Sequence, residues 1–337
     1  MNAVEVAVRP YRDSDETRVL EVLEASLGGG PAGRRPPEFF RWKHLASPFG
    51  RSLMLVAESD GRMAGLRAFM RWRFLAGDRV LHGVRAVDTA THPDFQGKGV
   101  FQRLTLEALD ALRAEGVDFV FNTPNAASLQ GYLKMGWSMV GKVPVRIRVH
   151  RPLRFISRFR SREAGSSVAP PVDAPSAAGA LSSRGIDRFL AEAAPEESRL
   201  HTPRDASYLR WRYADAPLLG YHAVVAEETD GTSGIAIFRV RPRDALWETT
   251  VSEVIVRPGD VSAGRRLLAM VRRAANTDHL ACHFAEGTAA AAAAKRSLFV
   301  QAPRGMTFVV NPLRERILPE PTQFDSWALS IGDLEVF

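Results

Sequence analysis

Gln96-Gly97-Lys98-Gly99-Val100-Phe101 joins a stretch that alternates like a strand, Arg79 to Thr91, to a stretch whose apolar residues Phe101, Leu104, Ala108 and Leu112 share one helical face. Glycine tolerates the bend that aims successive N–H groups into one concavity, and the start of the helix adds partial positive charge. Such a turn suits a diphosphate. Two glycines alone also suit an ordinary turn, so the flanking sequence decides.

Upstream, Val4 to Pro10 alternates as a strand, and Asp13-Ser14-Asp15-Glu16 offers capping side chains ahead of Val19, Leu20, Val22 and Leu23. After a Gly/Pro-rich loop, Leu53 to Glu58 and Ala64 to Phe69 flank Asp60-Gly61, a hairpin turn signal, and Arg79 to Thr91 completes an antiparallel meander. Downstream of the helix come a short apolar strand, Asp118 to Phe121, and the segment Asn125-Ala126-Ala127-Ser128-Leu129-Gln130-Gly131-Tyr132-Leu133-Lys134-Met135-Gly136-Trp137.

Turn and downstream segment together resemble the GNAT N-acetyltransferase family. Pro93, Gln96, Gly99, Asn125, Ser128, Tyr132, Gly136 and Trp137 fall in register with that family's pattern over roughly residues 3 to 150. Phe101 departs from it, standing where the family usually has Gly or Ala. The resemblance implies acetyl-CoA as acyl donor, lying between two splayed parallel strands, here Val84 to Thr91 and Asp118 to Asn122. It places the diphosphate on Gln96, Gly97, Lys98, Gly99, Val100 and Phe101. The backbone of Thr89 and Thr91 would pair with the pantetheine, with Asn125 and Ser128 facing it from the other side. Tyr132 occupies the family's position for the acid that protonates the departing thiolate. A packing ring is the alternative for Tyr132.

An amine must lose a proton on attack, and Asp88 and His92 are the nearest groups in sequence that could help. Strand alternation puts both on the face opposite Thr89 and Thr91, although a bulge would re-aim one of them. Asp88 is the candidate base; His92 reads as a turn residue beside Pro93. Arg34-Arg35, in the loop that borders the acceptor site in the family, are candidates for binding the acceptor.

The second half repeats the first. At a spacing of 169, Phe40-Arg41-Trp42-Lys43 faces Leu209-Arg210-Trp211-Arg212, Ala57-Glu58 faces Ala226-Glu227, and Gly65 and Phe69 face Gly234 and Phe238. Arg151-Pro152-Leu153 faces Asn311-Pro312-Leu313. In the second copy Val261-Ser262-Ala263-Gly264 replaces the glycine turn, and Tyr132 falls opposite Ala292 or Ala294. The expected fold class is therefore α/β, with two tandem GNAT folds, each a mixed, mostly antiparallel sheet with flanking helices. A catalytic domain spans 1–161, an Ala/Ser/Pro-rich linker 162–185 and a degenerate, cofactor-free domain 186–337, forming a pseudo-dimer within one chain. Trp42 and Trp211, matched in both copies, read as packing residues.

Composition sets the class. The chain has 337 residues, 45% of them hydrophobic and 25% charged, and a formal charge of +7. It has one cysteine, Cys282, which with His283 is too little for a metal site and fits a reducing cytoplasm. No signal peptide or membrane span is expected. The excess charge would attract CoA, nucleotides, tRNA or anionic lipid alike. The basic stretch Lys142 to Glu163 could meet RNA or anionic lipid, but solvated arginine is the default. The function these readings favour is acetyl transfer to a primary amine of a small molecule. An aminoacyl-tRNA-dependent transferase of tandem GNAT fold and a non-catalytic CoA-binding regulator are the alternatives; the intact diphosphate turn speaks against the first.

Overall fold

A computed structural model describes residues 6–27, 36–153, 155, 169–195, 197–229 and 231–335. The strands are β1 (Ala7–Pro10), β2 (Leu53–Ser59), β3 (Arg62–Ala76), β4 (Arg79–Thr91), β5 (Phe119–Asn122), β6 (Ser138–Val143), β7 (Arg146–Val149), β8 (His222–Glu228), β9 (Gly231–Arg243), β10 (Leu246–Val256), β11 (His279–Cys282), β12 (Val300–Gln301) and β13 (Met306–Pro312). The helices used below are α1 (Glu16–Leu27), α2 (Pro37–His44), α3 (Val100–Ala114), α4 (Ala126–Lys134), α5 (Ala177–Leu181), α6 (Ile186–Glu192), α7 (Ala206–Leu209), α8 (Val261–Ala274) and α9 (Ala289–Arg296). No helix among the described residues is long and apolar enough to cross a membrane.

The chain forms two compact units, one of residues 1–141, 307–326 and 336–337 and one of residues 142–306 and 327–335. The first holds a seven-stranded sheet in the order β1-β2-β3-β4-β5-β13-β6. Its meander turns at Asp60-Gly61 as expected, and α3 lays Val100, Leu104, Ala108 and Leu112 on a core that also contains Val84, Val120 and Val309. The second holds a six-stranded sheet in the order β12-β7-β11-β10-β9-β8, packed on α8 through Leu267, Leu268 and Val271.

The repeat is real in three dimensions. Ala57 pairs with Gly65 between β2 and β3, Ala226 pairs with Gly234 between β8 and β9, and each register shifts directly after that pair. Both glycines have the same cause. A Cβ on Gly65 would meet Ala90 O at 2.9 Å and Leu104 Cδ1 at 3.3 Å; one on Gly234 would meet Leu267 Cδ1 at 2.8 Å. Only a hydrogen lets the helix lie this close to the sheet. Trp42 and Trp211 are both buried, in keeping with packing.

The expected boundaries 1–161, 162–185 and 186–337 need correction. β7 and β13, the matched terminal strands of the two copies, pair with β11 and β5 respectively, so each sheet takes a strand from the other half of the chain. Two strands of one ancestral pattern can satisfy either sheet edge, and composition carries no sign of which edge each one fills. The linker is also shorter than expected. Val172 bridges to Ala275, Ser176 bridges to His222, and α5 buries Ala177, Ala180 and Leu181. Small apolar residues in this Ala-rich stretch pack closely within the second unit.

Candidate active site

β4 and β5 run parallel and pair at Gly83 with Phe119, Val84 with Val120 and Arg85 with Phe121. There the pairing ends, although β4 continues to Thr91. From Ala86 to Thr91 the β5-facing edge of β4 has no strand beside it among the described residues, as the resemblance implied. Backbone N–H and C=O groups along such an edge are ready to pair with an extended ligand.

Directly beyond Thr91, Gly97 and Gly99 take φ of 72° and 79°, and nothing lies within 4 Å of a Cβ built on either. Gly99 is the N-cap of α3 and supplies no side-chain cap, and no acidic residue stands in the first turn. Among the described residues no acceptor takes the N–H groups from Gly97 to Gln102. A 15-residue helix thus presents an uncapped positive end on an open glycine cradle, which suits a diphosphate. The side chains of this turn brace it. Gln96 Nε2 donates to Thr91 O at 3.3 Å, and Lys98 Nζ donates to Asp94 O at 2.8 Å. Gln96 N–H itself goes to Pro93 O, so the donors left for a ligand begin at Gly97. His92 accepts from Asp94 N, the turn role expected of it.

Across the splay, Asn125 caps α4. Its Oδ1 accepts Ser128 N–H at 2.9 Å and the Ser128 hydroxyl at 3.0 Å, so these two side chains hold each other. Tyr132 is buried against Trp137, with ring centroids 5.0 Å apart. The Phe101 ring stands edge-on to Tyr132 at 5.9 Å. Only the tip of Tyr132 is polar-bonded. Arg67 Nη1 donates to Tyr132 Oη at 3.1 Å and also to Thr89 Oγ1. Because Tyr132 Oη is the acceptor in that bond, its own proton remains available.

Asp88 has a different position from the one expected of a base. The bulge in β4 is present: Ala68 pairs with Val87 and Leu66 with Ala90, leaving Asp88 and Thr89 opposite Arg67. Asp88 takes φ of 37° there, and its side chain turns to α2. Lys43 Nζ and His44 Nε2 each lie 2.8 Å from Asp88 Oδ2, and His44 Nδ1 lies 3.0 Å from Ser52 Oγ. With 3% of its side chain exposed, this carboxylate is committed to a buried ion pair. Such a group is a poor proton acceptor for an incoming amine, because protonating it would break the pair with the buried lysine.

Residues 7–140 match the GNAT acetyltransferase domain family. The first half of the chain carries a GNAT acetyltransferase domain. The fold is shared with solved proteins: a probable N-acyltransferase from Enterococcus faecalis (12% identity, TM-score 0.62, 92% of this chain and 73% of that one) and a GCN5-related N-acetyltransferase from Anabaena variabilis (11%, 0.62, 92% and 73%). A GCN5-related N-acetyltransferase from Kribbella flavida is 18% identical, with a TM-score of 0.57 over 96% of this chain and 74% of that one. No curated protein matches the chain significantly in sequence.

The matching positions of the second unit are built differently. Where the GNAT domain has the uncapped Gly99, α8 begins at Asp260, whose carboxylate accepts Ala263 N–H at 2.8 Å. An internal anion sits where the first copy is open. A Cβ on Gly264 would meet Ala293 Cβ at 2.8 Å, so α8 and α9 are pressed together. Strand register places Ala236 and Val254, both buried, at the positions of Arg67 and Thr89. The buried carboxylate at the Asp88 position, by contrast, persists with other partners: Glu253 stands in its place, takes a hydrogen bond from Tyr213 Oη at 2.8 Å and pairs with Arg204 at 3.3 Å, while Arg212, in the place of Lys43, lies 3.8 Å from Glu335. A buried carboxylate at this bulge is common to both units and so belongs to the fold.

Arg34 and Arg35 lie outside the described residues. Arg146 and Arg148 of the basic stretch are engaged within the second unit, by Glu286 at 2.6 Å and Ser297 O at 2.6 Å. Sequence reasoning missed Arg67, Lys43 and His44. For Arg67 there was a signal: a lone charge inside Met63-Ala64-Gly65-Leu66-Arg67-Ala68-Phe69-Met70, a run that is buried on both faces.

Proposed function

We propose that the protein is an acetyl-CoA-dependent N-acetyltransferase acting on a primary amine of a small molecule, with donor and acceptor bound together. The observation that carries this is the uncapped α3 N-terminus on its open glycine cradle, set at the end of a strand whose free edge leads to Tyr132. Those residues fit the donor. N–H groups from Gly97 to Phe101 would hold the diphosphate, the β4 edge at Thr89 and Thr91 the pantetheine, and Asn125 would face it from α4.

The donor supplies an acetyl group already activated as a thioester. In the transfer a C–N bond forms as the C–S bond breaks; the amine gives a proton to water, and the sulfur takes one. Tyr132 gives that proton, since its hydroxyl hydrogen is not spent on Arg67. Water replaces Asp88 as the proton acceptor, because Asp88 is held by Lys43 and His44. The second unit contributes structure and no cofactor site. Free-thiol release from acetyl-CoA, followed across a panel of small amines, tests the reading. Release that rises with one amine, with the acetylated amine as product, is expected; release indifferent to every amine would point to a CoA-binding protein without transfer.

A further inference from the structure

Arg67 is the one group at the GNAT site whose presence the reading above does not yet explain. Its side chain is wholly buried in the middle of β3. Nη1 is bonded to Tyr132 Oη and Thr89 Oγ1, while Nε and Nη2 are buried with no hydrogen-bond partner. Among the described residues no carboxylate pairs with it. The guanidinium carbon lies over the rings of Phe69, Phe101 and Tyr132 at 4.4, 5.6 and 5.4 Å, which offsets only part of the cost of burying a charge. An unpaired buried cation is retained against that cost where an anion arrives or forms beside it.

The second unit makes the same point independently. The buried cation of α2, Lys43, has a buried counterpart there in Arg212. At the Arg67 position it has Ala236, and with it the Thr89 hydroxyl and the Tyr132 hydroxyl are gone. An arginine needed to pack the sheet would have survived with the sheet. Arg67 disappears together with the transfer site.

We propose that Arg67 is the anion-stabilising residue of the transfer site, and that its charge favours the thiolate which forms as the C–S bond breaks. The electron pair of that bond goes to sulfur. Nη1 holds Tyr132 Oη as an acceptor so that the phenol proton is free to follow, and the remaining donors meet the new negative charge until the proton arrives. When Tyr132 has given up its proton, its oxygen is already hydrogen-bonded to Arg67; solvent then returns the proton.

This rests on the acyl-donor reading, and ligand binding separates the two. CoA and desulfo-CoA, which lacks the sulfur, are titrated into the full chain at pH 7 and pH 9. If Arg67 favours the thiolate, CoA gains about tenfold over desulfo-CoA across this range, Arg67→Gln abolishes the gain while desulfo-CoA still binds, and Arg67→Lys keeps part of it. Turnover by Arg67→Gln falls at least tenfold with KM for acetyl-CoA little changed, and Arg67→Lys recovers some of it. Desulfo-CoA that binds the wild-type chain without any pH-dependent advantage for CoA overturns the role of Arg67 alone and needs no variant to fold. Failure of both ligands to bind overturns the donor reading and this proposal with it.

Discussion

The carboxylate of Asp260 accepts the N–H of Ala263 at 2.8 Å, closing the start of α8 with a negative charge supplied by the chain itself. The matching helix of the first unit begins at Gly99 and has no such cap. One fold thus appears twice, once with this helix start capped by a carboxylate and once with it open. A helix start left uncapped forgoes about 1 kcal/mol, a cost offset when a phosphate takes the place of the missing side chain.

Cutting the chain after Arg162 should not yield a folded GNAT domain. The fragment would lack β13, which lies between β5 and β6 in the first sheet and contributes Val309 to its core. The apolar strand Phe119–Asn122 would become an open edge. Expression of residues 1–162 is expected to give aggregated protein, and co-expression with the remainder to restore solubility. A soluble, cooperatively unfolding fragment would show that β13 is dispensable.

Asp88→Asn should act on stability before chemistry. Removing the carboxylate breaks its buried pair with the Lys43 ammonium, a change that costs roughly 3–5 kcal/mol in comparable buried pairs. Chemical denaturation should register that loss, while the pH–rate profile of the folded variant keeps its shape. Loss of the acidic limb at undiminished stability would return Asp88 to the role of base.

The glycine turn, the hairpin at Asp60-Gly61, the α3 face and the spacing of 169 were all legible, because each is written in local chemistry or in self-comparison. Register relative to Asn125 and Gly136 located Tyr132, and the structure puts it beside Thr89. What stayed hidden depends on contacts between residues far apart in sequence. Asp88 meets Lys43 and His44 only because a bulge turns it to α2. β7 and β13 exchange sheets without any difference in their own composition to announce it. The side chains of Gln96 and Lys98 reach back to the Thr91 and Asp94 carbonyls, bonds that the turn's sequence does not announce.

Tyr132→Phe keeps the ring against Trp137 and removes only the hydroxyl. Turnover should drop about a hundredfold with acetyl-CoA affinity nearly unchanged. Steady-state rates beside a binding isotherm measure both. Near wild-type turnover would pass the acid role to water.

Acid should weaken the second unit through His283. Burial pushes its imidazole down from 6.5 to about 4, and its Nδ1–H donates to Pro144 O at 2.8 Å. The unfolded chain takes up this proton near pH 6.5, whereas the folded chain resists it until about 4. The stability owed to neutral His283 is therefore complete above about 6.5 and lost as the pH falls through that window. His283→Asn keeps a donor and cannot titrate, so its denaturation midpoint should fall less steeply with acid than that of wild type. Parallel curves for the two proteins would remove His283 from the acid response.

Titration calorimetry of acetyl-CoA into the full chain, with and without Gly99→Asp, tests the central claim most directly. Aspartate at Gly99 gives the first unit the internal anion that Asp260 already gives the second, and it adds a side chain at a φ of 79°. The site described here predicts one acetyl-CoA per wild-type chain and no measurable binding to a folded Gly99→Asp variant. Two sites per chain, or unchanged affinity in that variant, would contradict it.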